Sequence, residues 1–276
     1  MIKLGIVDIR EIVRIIKENH NFDLSKFALT ALKYRLEKTF VNNNIKSVEV
    51  FLRRLGNEPQ FFDAFIGQVL TPSTEMFRDP SVWRWIREKI ITNLSSSELV
   101  NFKIWIPYSI TGGELYTVAI LLKESGILDR TKIYCTCHSE YNIQQIKAGK
   151  YPLKKIDVST ENYKRFQGAA NFNSYYEKED FNAQIDTTLI ENVEFIKDDF
   201  NYSKAPKNLK LIIYRNVMIY LNPTHQNYVL DVMYNNLSAT GYMAIGIKEN
   251  LRQSSADSFK FEPVNEVDKI YRRKLR

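Results

Sequence analysis

Two cysteines in 276 residues, Cys135 and Cys137, leave this chain no disulfide framework. They stand one residue apart, badly placed for a structural bridge, which points to a reducing compartment. Histidine is almost as scarce, with only His20, His138 and His225. The string Cys135-Thr136-Cys137-His138 superficially resembles a metal cluster. It lacks a second pair of ligands, so no metal is expected. No apolar run reaches the roughly 18 residues of a transmembrane helix, so no membrane insertion is expected. The opening MIKLGIVDIREIVRIIKENH mixes charges into its apolar stripe and lacks a signal-peptide core, making the cytoplasm the expected location. Polybasic tracts and zinc-finger spacing are missing as well, which argues against a nucleic-acid partner.

What is present is an ordinary globular composition. Hydrophobic residues make up 44% and charged residues 26%, enough chain to bury a core without disulfides. The net charge is +7 and the pI about 9.1. Such a surface suits an acidic partner, or is simply lysine-rich.

Residues 1 to about 70 carry helical periodicity: Ile2, Ile6, Ile9, Ile12, Val13 and Ile16 recur along one face. Asp23 or Ser25 can cap a helix over FALTALKYRLEKTF, and Ser47 can cap VEVFLRRLG, with Gly56 as its stop. Another helix follows over QFFDAFIGQVL. Thr71-Pro72-Ser73 ends this bundle, and Asp79-Pro80 starts a further helix with proline at its first position. From about residue 101 strands and helices alternate. FKIWI, KIYCT, NVEFIKDD, LKLIIY and TGYMAIGI read as strands, which predicts a mostly parallel, doubly wound sheet. The end reads as two strands around Glu262-Pro263-Val264-Asn265. The expected division is a helical domain over 1–71, a helical linker over 72–100, and an α/β domain over 101–276. A β-subdomain is expected at about 167–191, a segment too long for a plain loop.

The stretch IWIPYSITGGELYTVAILL passes from strand to glycine turn to apolar helix, where α/β enzymes cradle nucleotides or sulfonium cofactors. Four further segments carry a family resemblance. TEMFRDPSVWRWIRE (Thr74 to Glu88) resembles TxFFRDxxxWxxL. LIIYRNVMIYLNPTHQNYVL (Leu211 to Leu230) resembles DLIxCRNVLIYF. IQQIKAGKYPL is similar to ARxGxYxL, and TGYMAIGIKEN is similar to GGYLFLGHSEN. By these segments the chain resembles the chemotaxis receptor methyltransferases, the CheR family, over nearly its whole length.

The resemblance implies a fold and a chemistry. The fold is an N-terminal helical bundle, then a Rossmann-like S-adenosylmethionine (SAM) methyltransferase domain with a small β-insert. The chemistry is methyl transfer from SAM, leaving S-adenosylhomocysteine, to glutamates on the helical cytoplasmic domain of a chemoreceptor, performed by a monomer. A glutamate is already ionised at neutral pH, so no catalytic histidine or cysteine is needed.

By the same resemblance Arg78 and Tyr220 stand at the methyl-transfer point. Thr74, Arg78, Gly112, Glu114, Asp199, Phe200, Asn216 and Val217 match positions that hold the cofactor. Each has a plainer reading: a salt bridge for Arg78, a solvated helix start for Glu114, a strand-end turn for Asp199, core packing for Asn216, Val217 and Tyr220. Basic residues for receptor docking would be Lys26, Lys33, Arg35, Lys38, Arg53 and Arg54.

Two departures stand against the family pattern. Where the family reads SAGCSTGEEPYS, this chain reads IPYSITGGELYT, with Pro107 and Tyr108 replacing small residues. Where the family has an acid for the ribose hydroxyls, this chain has Cys137. Three readings follow: a chemoreceptor methyltransferase, a non-catalytic relative kept as a binding or scaffold module, or a methyltransferase with a different acceptor.

Overall fold

The computed structural model describes residues 3–70, 75–251 and 260–275. Thr74, the 71–73 segment and the start of the expected C-terminal strand pair at 257–259 lie outside the described residues.

Four helices open the chain: α1 (Ile6–His20), α2 (Leu29–Asn42), α3 (Val48–Asn57) and α4 (Pro59–Leu70). Ile9, Ile12 and Ile16 bury one stripe of α1. Ser47 caps α3 as expected, its hydroxyl accepting from the Val50 N–H, and the helix runs on through Gly56 to Asn57. Asp23 caps something shorter than predicted, the 3₁₀ turn Leu24–Lys26. α2 starts only at Leu29, behind an Ala28 that makes no side-chain cap. The backbone of the intervening residues is spent on the α/β domain instead: Ala28 donates to the Tyr220 carbonyl and Asn222 to the Lys26 carbonyl.

α5 (Pro80–Trp85) has proline at its start and widens into a π-helical turn over Ile86–Ile91. After α6 (Ser96–Val100) the alternation begins: β1 (Lys103–Ile106), α7 (Gly113–Glu124), β2 (Lys132–Cys137) and α8 (Glu140–Ala148). Next come β3 (Lys150–Pro152), α9 (Leu153–Phe166), β4 (Tyr176–Lys178), β5 (Asn182–Ile185) and β6 (Val193–Lys197). The chain closes with β7 (Leu209–Tyr214), α10 (Pro223–Asn236), β8 (Leu237–Ile245), β9 (Phe261–Asn265) and β10 (Ile270–Arg273).

The main sheet runs β6-β2-β1-β7-β8-β10-β9. Its first five strands are parallel, and β10 and β9 add antiparallel at one edge. Chain order reverses between β1 and β7, which makes that gap the topological switch point where open α/β sheets bind ligands. The small sheet β3-β5-β4 draws its first strand from 150–152, ahead of the expected insert. Three residues are too few for a period-2 pattern to announce a strand. The C-terminal turn also falls later than predicted. Pro263 lies inside β9 rather than at the bend, a placement open to it because β9 is the edge strand.

Both sheet faces are buried. Ile104, Ile106, Leu211 and Ile213 point into a core shared with α7 and the small sheet. Their alternates Trp105, Ile212 and Tyr214 point into a second core. That second core is continuous with the helical bundle, through Leu36, Phe40, Phe51 and Phe65.

Candidate cofactor and carboxylate site

The crevice at the switch point opens beyond Ile106 and Tyr214, the last residues of β1 and β7. The loop after β1 continues along β2, with the Ser109 N–H donating to the Thr136 carbonyl at 2.9 Å. It turns at Gly112, whose φ is +78°. A Cβ there would lie 2.9 Å from the Tyr151 hydroxyl oxygen and 3.0 Å from Ile146. Left-handed backbone and crowding together require glycine at this position.

Arg78, Gly112, Glu114 and Asn216, four of the residues the resemblance pointed to, line one cavity here, with Tyr108, Ile110 and Arg215. Arg78 sits on an unusual turn. Its neighbours Phe77 (φ 55°) and Asp79 (φ 54°) are both left-handed, a costly conformation for a bulky residue. Surrounding bonds enforce it. The Phe77 N–H donates to Thr117 Oγ1 at 2.9 Å. The Arg78 carbonyl accepts from Trp83 Nε1 at 2.8 Å and from Arg215 at 3.0 Å.

Arg215 stands in the quoted RNVMIY string, though the resemblance did not mark it as a site residue. Its side chain is fully buried and reaches Asp79 at 2.5 Å and Glu114 at 3.5 Å. Burial pushes the Glu114 carboxyl up to about 7, against the pull of Arg215. Glu249 was missed too, though the quoted TGYMAIGIKEN contains it. Its carboxylate accepts from the N–H groups of Gly246 (2.6 Å), Asn216 (2.9 Å) and Ile219 (3.2 Å). These bonds hold Asn216 in its left-handed turn, φ 58°.

The other nominated residues lie elsewhere. Val217 is buried in the second core. Tyr220 lies under the Arg35 guanidinium, 4.0 Å from it. Asp199 accepts from Asn201 Nδ2 at 2.7 Å, and its carbonyl accepts from Lys26 Nζ at 2.7 Å. Phe200 is fully buried.

Phe200 belongs to an aromatic stack over the carboxyl ends of β1, β2 and β6. Tyr108 follows β1, His138 follows β2, and Phe200 follows β6. His138 lies on Phe200 with ring centroids 3.7 Å apart and 10° between planes, and Tyr108 is 5.1 Å from His138. The Tyr108 hydroxyl donates to the Leu70 carbonyl, at the end of α4. Burial pushes that hydroxyl up to about 12, so it stays a donor. His138 Nδ1 is 2.7 Å from the Asp198 carbonyl, so that nitrogen carries the proton. Burial lowers its pKa to about 3.

Cys137 is fully buried, and a hydrogen bond to Cys135 together with burial raises its thiol well above the ordinary value. A neutral thiol cannot grip ribose hydroxyls as a carboxylate does. The cavity beside the stack has a volume of about 20 Å³, room for about one water. Glu114, Gly112 and Asn216 bring a carboxylate and backbone groups, the chemistry that holds the amino-acid end of SAM, to a crevice that as it stands admits about one water. Cys137 does not fit the ribose hydroxyls of its nucleoside half.

Of the basic residues expected on the docking face, Arg35 is buried and donates to the Val69 carbonyl at 3.0 Å. Lys26 is held by the β6 loop, and Arg54 pairs with Glu58 at 3.0 Å. Lys38 and Arg53 are exposed, and Lys33 is half-buried. Among the described residues no helix is long and apolar enough to cross a membrane, and no group of three or more His, Cys, Asp or Glu could hold a metal.

Residues 72–267 match the family model described as CheR methyltransferase, SAM binding domain. A Pseudomonas putida protein with the name Cher3 and a provisional methyltransferase designation is 29% identical over 267 residues, covering 97% of each chain. A chemotaxis protein methyltransferase of Borreliella burgdorferi is 24% identical, covering 89% of this chain and 88% of its own. Among solved structures, the rRNA methyltransferase aviRa of Streptomyces viridochromogenes is 10% identical with a TM-score of 0.42, over 74% of this chain and 86% of that one.

Proposed function

The chain belongs to the CheR methyltransferase family, and we propose that it methylates a glutamate carboxylate on a helical, chemoreceptor-type signalling protein in the cytoplasm. The observation that carries this reading is the convergence of Arg78, Gly112, Glu114 and Asn216 on one crevice at the switch point. SAM, when bound, supplies a methyl group on a positively charged sulfur. Arg78 grips the acceptor carboxylate with its planar fork, on a turn that Arg215, Trp83 and Thr117 hold rigid. Glu114 presents a carboxylate to an incoming ammonium group. The acceptor is ionised at neutral pH, so the site needs no general base. This suits a crevice lined by no histidine.

A second reading has its own support. The aromatic stack and Cys137 favour a non-catalytic relative that binds an acidic protein through Arg78. Methyl transfer from labelled SAM to receptor fragments separates the two. Base-labile label on the fragment is expected from the enzyme. Its clean absence with a verified cognate receptor sinks the first reading and leaves the binding module.

A further inference from the structure

The crevice and the helical bundle share one hydrogen bond with consequences for ligand entry. In doubly wound sheets a nucleoside lies beyond the carboxyl ends of the strands beside the switch point. Here the three strands on one side of the switch point each contribute a ring at that end: Tyr108 from β1, His138 from β2 and Phe200 from β6. The bundle seals the stack from outside. Phe27 and Phe22 pack edge-on against Phe200 at 5.1 and 6.1 Å. Lys26 holds the β6 loop through the Asp199 carbonyl and Asn201 Oδ1, each at 2.7 Å. Leu70, the last residue of α4, accepts the Tyr108 hydroxyl, and the Arg35 guanidinium stands beside it.

We propose that Tyr108 is the residue that excludes the nucleoside half of the cofactor, and that the crevice opens when the helical bundle releases its hydroxyl. The inference rests on the family reading only in treating the crevice as a cofactor site. Tyr108 is the movable member of the stack. His138 is fixed by its bond to Asp198 and Phe200 by the rings around it, while Tyr108 is anchored through its hydroxyl to the helical bundle, at the Leu70 carbonyl and the Arg35 guanidinium. Anything that shifts the end of α4, including a partner seated on the bundle, then changes access to the crevice.

The test is calorimetric titration of the full chain with S-adenosylhomocysteine, comparing wild type, Tyr108→Gly and Tyr108→Phe. Tyr108→Gly removes the ring, and Tyr108→Phe keeps the ring but loses the anchor. The expected result is weak or undetectable binding by wild type, at least tenfold tighter binding by Tyr108→Gly, and an intermediate value for Tyr108→Phe. Should Tyr108→Gly fail to fold, Tyr108→Phe decides: binding no tighter than wild type overturns the proposal. Equal affinity for all three proteins overturns it and leaves the methyltransferase reading standing. Silence from all three overturns both. Tight binding by Tyr108→Gly without any methyl ester on a receptor fragment upholds the plug and sinks the enzyme.

Discussion

Arg215 and Glu114 stand 3.5 Å apart in the lining of the crevice, with the arginine side chain wholly enclosed. The same guanidinium reaches Asp79 and the Arg78 carbonyl. One buried cation thus ties the turn that carries Arg78 to the helix that carries Glu114. The two sides of the crevice proposed to bind acceptor and cofactor share this support.

Removing that support leaves two carboxylates facing a buried void. Arg215→Leu is expected to cost about 3–5 kcal/mol, the range for breaking one side of a buried ion pair. Arg215→Lys restores the charge without the planar fork and is expected to recover only part of it. Urea unfolding at neutral pH checks both values.

Glu114 makes stability depend on pH in a defined window. Its carboxyl is raised from 4.5 to about 7 by burial, so the folded state holds a proton that the unfolded chain has lost. The associated stability is fully present below about 4.5 and is lost as pH rises through about 7. Glu114→Gln, which stays neutral, is expected to flatten this fall. Denaturation midpoints measured across pH 4.5 to 8 show whether it does.

His138 acts in the opposite sense. Burial depresses its pKa from 6.5 to about 3, so its contribution is present above 6.5 and is lost as pH falls toward 3. His138→Phe keeps a flat ring against Phe200 and is expected to unfold at a lower pH than wild type. An acid titration followed by tryptophan fluorescence is the check, and coincident curves would remove His138 from the account.

Arg78 is expected to separate binding from folding. Its backbone carbonyl accepts from Trp83 Nε1 and from Arg215, and Arg78→Ala leaves both of these bonds in place. Stability should change by about 1 kcal/mol, the central value for a point substitution. Affinity for an acidic receptor fragment should fall about tenfold to a hundredfold, the cost of losing bonds to a charged group. A thermal melt run beside a fragment-binding titration measures the two effects separately.

Much of this was legible in the residues taken in order. Ser47 announced a cap and became one, because a cap is a contact with the next turn. The strand and helix alternation after residue 101 predicted the sheet, because burying both faces leaves continuous apolar runs. Arg35 was not legible. On a helical wheel it is one more surface cation, yet it lies buried against Tyr220 and the Val69 carbonyl. Its neighbours come from α4 and from the far side of the chain, and no local period encodes them. Arg215 and Glu249 escaped for the same reason, since Arg215 is defined by the Asp79 and Glu114 carboxylates and Glu249 by the Asn216 and Ile219 N–H groups, all from distant segments.

By itself the sequence determined the fold class, the crevice at the β1 turn, and the identity of Arg78, Gly112, Glu114 and Asn216 as residues to examine. The fold class and the crevice follow from the strand and helix pattern, and the four residues from the resemblance of their segments to a family. It also marked Tyr108 and Cys137 as departures. Only the tertiary structure decided what the departures do. A tyrosine after β1 can face solvent, ligand or core. Here the ends of β2, β6 and α4 converge to bury its ring and accept its hydroxyl. The direction of a side chain is set by what packs around it, and that packing is assembled from residues 30 to 92 positions away.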